Sequence, residues 1–280
     1  RLLLPLRQIK LLKKYLLMLI GHKKQKKYFQ QAIDNGLLHH AYLFTGPDMI
    51  GKRTFALDIY KLLNEREPHN DPDFKLIAPK ILKDEHKIYI EDARLLKSFF
   101  SLKPYRGPYK LAVVDNAHYL TTEAANALLK ILEEPPSFSV IILVSSIPGL
   151  LPLTIASRCE EIRFLSASEE EVSSYFVDKN ISFEDKEFLT ILTGGRIGFI
   201  NKILEDKNII DAKKSIMDLR QILRKGLFDK MNYAKELYEG GEYITVSDYW
   251  LHWVSAHVKN DSNNRSIVKN LLQLPQVLNQ

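Results

Sequence analysis

The sequence predicts an α/β domain built on a parallel sheet, followed by an all-helical region. Up to Leu165, short apolar runs alternate with amphipathic stretches, a pattern typical of a parallel sheet that is covered by helices on both faces. After Ser166 no further strand pattern occurs, and the apolar residues have helical spacing as far as Gln280. The clearest boundary in the chain is therefore predicted near Leu165.

The predicted elements follow from local patterns of apolar and capping residues. Buried strands are predicted at Ala41–Gly46, Leu111–Val114, Val140–Ser146 and Glu160–Leu165, with a further strand around Phe74–Ile77. Helices are predicted in "RTFALDIYKLL", "IEDARLLKSFFSL" and "TTEAANALLKILEEPP". The last of these begins at Thr121 or Thr122 as N-cap and ends before two prolines. Strands and helices thus alternate along the first 165 residues.

Composition bounds the class of protein. At 280 residues the chain is long enough for about two domains, and its 45% hydrophobic and 26% charged residues are ordinary for a soluble protein. Cys159 is the one cysteine, so no intramolecular disulfide can form and we expect a cytoplasmic location. Apolar runs in residues 1–20 are interrupted by lysine and arginine and are too short to span a membrane. We expect this basic extension to pack as an amphipathic helix, without a membrane role.

The net charge of +6 is weak support for a nucleic-acid surface. Nine Lys and Arg residues precede the first acidic residue, Asp34, and the rest of the chain has 31 basic and 34 acidic residues. Basicity thus belongs to the N-terminal segment alone.

The stretch "GPDMIGKRT" nearly matches a phosphate-binding loop. Gly46, Gly51 and Lys52 complete the pattern G-x-x-x-x-G-K between a predicted strand and a predicted helix. In that context backbone N–H groups can surround phosphates and the lysine can reach them. The alternative interpretation is an ordinary strand-to-helix turn without a ligand. Arg53 stands where a Ser or Thr would bind magnesium, and Thr54 comes one residue too late to be a sound substitute.

Asp115 follows a buried apolar run, where a P-loop ATPase places its second magnesium carboxylate. An active ATPase of the AAA+ type continues with Glu, which activates the attacking water, but here the next residue is Asn116. An amide cannot take a proton, so general-base catalysis is expected to be largely lost. Taken alone, Asp115 could simply cap a loop.

Two arginines are candidates for contacts with phosphate. Arg158, in "LTIASRCEEIRF", is either a surface residue beside a buried Cys159 or an arginine finger presented to another subunit's nucleotide. Arg196, in "GGRIG", either contacts phosphate at a helix start or is solvated, and the second interpretation is slightly favoured. The residues alone leave both questions open.

Three stretches together resemble one family. "HHAYLFTGPDMIGKRT", "KLAVVDNAHYLTTEAANALLKILEEPP" and "LTIASRCEEIRF" are similar to the delta-prime subunits of bacterial DNA polymerase III, which are clamp-loader subunits of the AAA+ class. The resemblance extends from about Ile20 to the end, and "AANALLKILEEPP" followed by "SRC" is its most specific part. Arg53 and Asn116 agree with delta-prime, whose catalytic residues have decayed, rather than with the active gamma and tau subunits.

The resemblance implies a RecA-like AAA+ module at residues 21–165, a small helical lid at 166–208 and an all-α collar domain at 209–280 that holds a ring together. The extension at 1–20 has no counterpart in the family. The chain ends soon after the opening of the last collar helices, so we expect this domain to be incomplete. Within the SRC motif Arg158 would act as a finger in trans, and Arg196 lies near the family's lid arginine.

The resemblance also implies a function and partners. We expect a subunit of the DNA-directed DNA polymerase (nucleotidyltransferase) holoenzyme that helps to load the sliding clamp on primer-template DNA, with gamma/tau and delta subunits as neighbours. Contacts with the clamp and DNA would be made through the assembled complex. We expect no required cofactor, no resident metal, and weak binding of ATP and Mg²⁺ or none. Many relatives carry a four-cysteine zinc module after the phosphate-loop helix, but "NEREPHNDPDF" has no cysteine, which excludes zinc bound by thiolates.

Two other functions stay open. The chain could be an active gamma/tau-type ATPase that tolerates Asn116, which ATP hydrolysis by the isolated chain would reveal. It could instead be a solitary basic DNA-binding protein, although the net charge of −3 after the N-terminal segment argues against this.

Overall fold

The computed structural model describes residues 21–82, 85–205 and 208–258. The predicted N-terminal extension and the end of the predicted collar lie outside the described residues. The chain divides between Leu165 and Ser166 into two compact units, at the residue where the sequence ceases to predict strands.

The first unit contains a five-stranded parallel sheet and a two-stranded antiparallel hairpin. Its strands in the described residues are β1 (Ala41–Thr45), β2 (Phe74–Ile77), β3 (Lys80–Leu82), β4 (Glu85–Lys87), β5 (Lys110–Val114), β6 (Ser139–Ser145) and β7 (Glu160–Arg163). The sheet has the order β2-β5-β6-β1-β7, and the hairpin pairs β3 with β4. The hairpin is an addition that the sequence analysis missed, because its residues carry no apolar alternation.

Helices cover both faces of the sheet, as the apolar pattern of the strands predicts. They are α1 (Lys23–Asp34), α2 (Lys52–Asn64), α3 (Ile90–Ser101), α4 (Thr122–Glu133) and the short α5 (Leu153–Ala156). Alternate residues of β1 enter different cores: Tyr42 and Phe44 pack with α1 and α2, whereas Ala41 and Leu43 pack with α3 and α4. The predicted fold class, a parallel α/β module followed by helices, is confirmed.

A buried aspartate fixes the loop that precedes β5. Asp73 is fully buried, and its carboxylate accepts backbone N–H hydrogen bonds from Tyr105 (2.6 Å), Arg106 (2.7 Å) and Gly107 (3.0 Å). Burial alone would raise the pKa of Asp73, but these hydrogen bonds and the charge of Lys110 outweigh it and lower the pKa below its usual value. The carboxylate is therefore a structural acceptor rather than a free acid.

The second unit is all-helical in the described residues. Its helices are α6 (Glu169–Tyr175), α7 (Phe183–Thr193), α8 (Ile197–Glu205), α9 (Ile209–Ile222), α10 (Leu227–Glu239) and α11 (Tyr243–Val258). Ser168 caps α6 through a hydrogen bond from Glu171 N. Trp250 is buried, and its Nε1 donates to Ser215 O at 2.8 Å.

The predicted lid and the predicted collar share one hydrophobic core. Leu189, Phe199 and Ile200 come from the lid segment, and they pack in the same cluster as Ile216 and Trp250 from the collar segment. Among the described residues there is thus no break between two compact bodies at residue 208, and the lid and collar assignments stay predictions. No helix in the described ranges combines the length and the hydropathy that crossing a bilayer would require.

Candidate functional site

The loop between β1 and α2 has the backbone that its glycines predict. Gly46 has φ 136°, and a Cβ atom at this position would lie 2.3 Å from Phe164 O. Gly51 precedes α2 with φ 98°, in the left-handed region that favours glycine. Both glycines are therefore required by the turn from strand to helix, whether or not a phosphate binds there.

Lys52 is turned back onto this loop. The side chain is buried, and Nζ donates hydrogen bonds to Gly46 O (2.6 Å) and Pro47 O (2.5 Å). Burial lowers the pKa of Lys52, and the negative charges of Asp48 and Asp115 act in the opposite direction. The ammonium group thus already has partners within its own loop.

Asp115 follows β5 at the same edge of the sheet and faces Arg53. Arg53 NH1 lies 3.5 Å from Asp115 Oδ2; the side chain of Arg53 is 52% exposed and that of Asp115 only 14%. Burial raises the pKa of Asp115, and the positive charge of Arg53 offsets part of that rise. The structure therefore brings together Asp115, which the sequence suggests as a magnesium ligand, and Arg53, which breaks the phosphate-loop pattern.

Asn116 has a structural reason for its identity. Its backbone lies in the left-handed region with φ 49° and ψ 49°, where asparagine is enriched. Its N–H donates to Asp115 Oδ1 at 3.1 Å. The position that should carry a general base thus holds a residue suited to a tight turn before the 3-10 turn Ala117–Tyr119.

These residues do not fit a magnesium ion. Magnesium requires oxygen ligands in a near-octahedral arrangement, and a P-loop supplies one from its hydroxyl residue. Arg53 offers only N–H donors, and its guanidinium is the partner of Asp115. Thr54 lies exposed on α2, about 100° around the helix from Arg53.

Three residues near this loop were missed by the sequence analysis. Asp48 lies exposed in the loop itself and acts electrostatically on Lys52, Asp115 and His118. His118 Nδ1, after the carboxyl end of β5, lies 3.3 Å from Oγ of Ser145, the last residue of β6. Their position at or shortly after the ends of predicted strands was the available signal, because the carboxyl ends of parallel strands meet at one edge of a sheet.

Arg158 lies in the turn between α5 and β7. Its NH1 donates to Thr154 O at 2.8 Å, and its NH2 lies 2.7 Å from Glu133 Oε1 at the end of α4. The side chains of Arg158 and Glu133 are 36% and 49% exposed. The guanidinium is therefore held in a defined orientation by two contacts while part of it remains accessible.

The surroundings of Arg158 form a groove at the surface of the first unit. Besides Glu133 it is lined by His39 and His40, whose rings are 4.3 Å apart, and by Cys159. Burial raises the pKa of Cys159 to about 12, so its thiol is inert rather than nucleophilic. Cys159, which the sequence analysis expected to be buried, is only partly buried and packs against the core that contains α3 and α4.

Arg158 and the phosphate loop lie at opposite edges of the sheet. The parallel register pairs Tyr42 with Glu160 and Thr45 with Arg163. Arg158 thus precedes the amino end of β7, whereas the loop follows the carboxyl end of β1. With a strand rise of about 3.3 Å per residue, the two edges are roughly 15 Å apart, beyond the reach of an arginine side chain.

Arg196 belongs to the second unit and is engaged there. Its Nε donates to Thr193 O at 2.9 Å, and its NH2 lies 2.7 Å from Nδ1 of His252. Burial first and the charge of Arg196 second lower the pKa of His252 to about 4. A contact between Arg196 and phosphate stays a prediction. Within the described ranges no three His, Cys, Asp or Glu side chains are grouped as metal ligands would be.

Comparison with known proteins decides the family. A family model described as DNA polymerase III, delta subunit, matches residues 21–168, a little over half of the chain. The chain belongs to the DNA polymerase III delta subunit family. The match covers β1 to β7, and hence both the phosphate loop and Arg158 of this family member.

Relatives of this delta-family chain carry two kinds of subunit name. The tau/gamma subunit of DNA polymerase III from Haemophilus influenzae is 34% identical over an alignment of 174 residues, and the match covers 55% of this chain and 25% of that protein. The delta' subunit from Bacillus subtilis is 27% identical over 241 residues, which are 80% of this chain and 68% of that protein. The chain thus spans only a quarter of the tau/gamma relative.

Among solved structures, a DNA polymerase III gamma subunit-related protein from Thermotoga maritima is similar. It is 19% identical with a TM-score of 0.45, and the match covers 83% of this chain and 86% of that one.

Proposed function

We propose that the chain is a delta-prime-type subunit of the clamp loader of DNA polymerase III. It helps to place the sliding clamp on primer-template DNA and lends Arg158 to the nucleotide of a neighbouring subunit. It hydrolyses little or no ATP itself. Its neighbours are the gamma/tau and delta subunits, and its contacts with the clamp and DNA are made within the assembled complex.

The observation that carries this proposal is the separation of Arg158 from the chain's own phosphate loop. A guanidinium that stabilises a transferred phosphoryl group must contact its oxygens. Because Arg158 and the loop lie at opposite edges of the sheet, any nucleotide that Arg158 contacts belongs to another molecule. The partly exposed guanidinium, oriented by Glu133 and Thr154 O, suits such a contact.

The composition of the chain's own loop supports the delta-prime assignment over the gamma/tau one. Asn116 cannot act as a general base, and Arg53 replaces the hydroxyl that would bind magnesium. Sequence identity does not separate the two, since tau/gamma and delta' relatives both match. The assignment therefore rests on Arg53 and Asn116 rather than on overall similarity.

The same proposal assigns ring assembly to the predicted collar at residues 209–280. Tyr249 and Trp250 are buried in the core shared by the two helical segments, so they serve packing within the chain. A deletion after Lys207 would remove one side of that core and would test folding rather than assembly. Ring assembly is better followed with the full chain.

A reconstituted clamp loader tests the proposed function. Gamma/tau, delta, the clamp and primed DNA from the same organism are combined with and without the full chain, and clamp loading is measured. We expect a stable complex that includes the chain and a large loss of loading when the chain is omitted. A chain that neither joins the complex nor affects loading would contradict the proposal.

An active gamma/tau-type ATPase is the second candidate. It is favoured by the intact glycines and lysine of the loop, by Asp115 at the end of β5 and by the 34% identical tau/gamma relative. ATP hydrolysis by the isolated chain, at a rate comparable with that of purified gamma/tau, would support this alternative over the delta-prime assignment.

A further inference from the structure

The phosphate loop of this chain contains a cation where a P-loop protein would hold magnesium. In such proteins the ion is bound by a loop hydroxyl and by a carboxylate that follows a neighbouring strand, and it bridges to the phosphates. Here the first position holds Arg53 and the second holds Asp115, and these side chains are 3.5 Å apart. The carboxylate is thus paired with a guanidinium of the same chain.

We propose that the Arg53 guanidinium takes the place of magnesium as the partner of Asp115, so that this loop binds nucleoside triphosphate without a metal ion or not at all. The inference rests on the proposed function, which assigns the loop to a degenerate nucleotide site. Beyond that function, the proposal states that magnesium is the ion that the site no longer binds and that Arg53 is the residue that excludes it.

Chemistry and geometry support the exclusion of magnesium. A guanidinium has five N–H donors, offers no lone pair to a metal ion and remains positive at any physiological pH. A divalent ion bound to Asp115 Oδ2 would lie close to Arg53 NH1, and the two like charges would repel each other. Asp115 is largely buried, which limits the screening of this repulsion by water.

The remaining charges of the loop are balanced without any ligand. Lys52 donates to two carbonyl groups of its own loop, and the negative charge of Asp48, in the same loop, acts on Lys52. Lys52 and Arg53 together offset Asp48 and Asp115. The four charges therefore sum to zero, and Asp115 has a cationic partner within the chain.

This arrangement predicts an inverted preference between the two forms of ATP. Magnesium bound to ATP lowers the negative charge of the triphosphate, so the positive charges of Lys52 and Arg53 attract MgATP less than metal-free ATP. The full chain should bind metal-free ATP at least as tightly as MgATP, or bind neither. Replacement of Arg53 by threonine restores the hydroxyl, frees Asp115 and should make binding dependent on magnesium.

Calorimetric titration with ATP, in MgCl₂ and in EDTA, tests the proposal on the full chain. The variants are Arg53→Thr and, as a control of equal charge loss, Arg94→Thr, which lies exposed on α3 on the other face of the sheet. We expect the ratio of affinity in magnesium to affinity in EDTA to rise at least about fivefold in Arg53→Thr and to stay unchanged in Arg94→Thr. Where the wild type binds neither form, magnesium-dependent binding by Arg53→Thr is the expected result.

Either of two results would overturn the proposal. The wild type could bind MgATP more tightly than free ATP, or a folded Arg53→Thr variant could bind ATP without dependence on magnesium or fail to bind ATP. Melting temperatures of Arg53→Thr, Asp115→Asn and the double variant give a second measurement. The effect of Arg53→Thr should shrink in the Asp115→Asn background, and equal effects in both backgrounds would mean that the pair does not interact. Clamp loading by the reconstituted complex does not depend on whether Arg53 excludes magnesium from the loop. A result that contradicts the Arg53 proposal would therefore leave the proposed clamp-loader function standing.

Discussion

Arg158 and Lys52 lie at opposite edges of one parallel sheet, Arg158 before the amino end of β7 and Lys52 beyond the carboxyl end of β1. Within one chain, Lys52 and Arg158 therefore cannot contact the same nucleotide. Lys52 is buried against carbonyl groups of its own loop, whereas Arg158 is partly exposed. This separation supports the proposal that Arg158 contacts the nucleotide of a second molecule.

The isolated chain should hydrolyse ATP far more slowly than the roughly 1 s⁻¹ that marks a competent enzyme. The reason is twofold: Asn116 cannot take a proton, and Arg53 occupies the hydroxyl position of the loop. Asn116→Glu alone should not restore turnover, because Arg53 still pairs with Asp115. Phosphate release by purified wild type and variant is the measurement, with purified gamma/tau as the positive control. Turnover near that of gamma/tau would show that the site is active after all.

Asp73 should be a strong determinant of stability. Asp73→Asn removes the charge that accepts three backbone N–H groups in a buried setting, and we expect a loss of about 2–4 kcal/mol in the free energy of unfolding at pH 7. Urea unfolding measures this loss. The control Glu123→Gln, at an exposed carboxylate of α4, should change stability by less than about 0.5–1 kcal/mol.

The same carboxylate predicts a pH dependence. Its folded-state pKa is lowered, so its contribution is complete above the ordinary pKa of about 4 and is lost as the pH falls through the folded-state value below that. The difference between wild type and Asp73→Asn should accordingly shrink in acid. A difference that stays constant from pH 7 down to pH 3 would mean that the charge of Asp73 is not what stabilises the loop.

His252 should make the helical unit sensitive to mild acid. Its folded-state pKa of about 4 lies below the ordinary 6.5, so the fold holds it neutral beside Arg196 while the unfolded chain gains a proton. Stability should fall by up to about 3 kcal/mol as the pH drops from about 6.5 to 4. His252→Gln should remove most of this pH dependence. The control His69→Gln, at an exposed histidine of the first unit, should show the same pH dependence as the wild type. Thermal unfolding of the three proteins across this pH range is the measurement, and an unchanged pH dependence in His252→Gln would contradict the prediction.

Much of the fold followed from the sequence because its signals are local. The buried strands β1, β5 and β6 are continuous apolar runs, and α4 begins after Thr121, whose Oγ1 accepts from Ala124 N. The β3–β4 hairpin was not predicted, since its strands have only three residues each and are defined by pairing rather than by burial. The shared core of the helical segments was also not predictable, because helical periodicity shows that a face is buried and not against which helix.

The sequence predicted which residues belong to the candidate site but not which of them contact each other. The motif identified Arg53 and Asp115 separately, 62 positions apart, and only the strand order brings them within 3.5 Å. The pairing of Arg158 with Glu133 likewise depends on how α4 ends beside the turn before β7. Sequence spacing carries no information on such pairs, so neither ion pair could have been derived from it.

Arg158→Ala tests the central claim within the reconstituted complex. The variant should fold and assemble like the wild type, because its contacts with Glu133 and Thr154 O are partly exposed and contribute little stability. Arg163→Ala, at the other end of β7, is the matched control. Arg158→Lys should rescue poorly, since an ammonium group cannot make the planar two-point contact of a guanidinium.

The decisive measurement is the clamp- and DNA-stimulated ATPase of complexes matched for assembly, together with their rate of clamp loading. A finger supplied in trans contributes roughly 10³–10⁵ in rate at its own site in other systems, and a loader with several sites should lose less overall. We expect Arg158→Ala to lower clamp loading by at least about tenfold and to lower the stimulated ATPase, while Arg163→Ala changes neither. An Arg158→Ala complex that hydrolyses ATP and loads clamps at the wild-type rate would contradict the account.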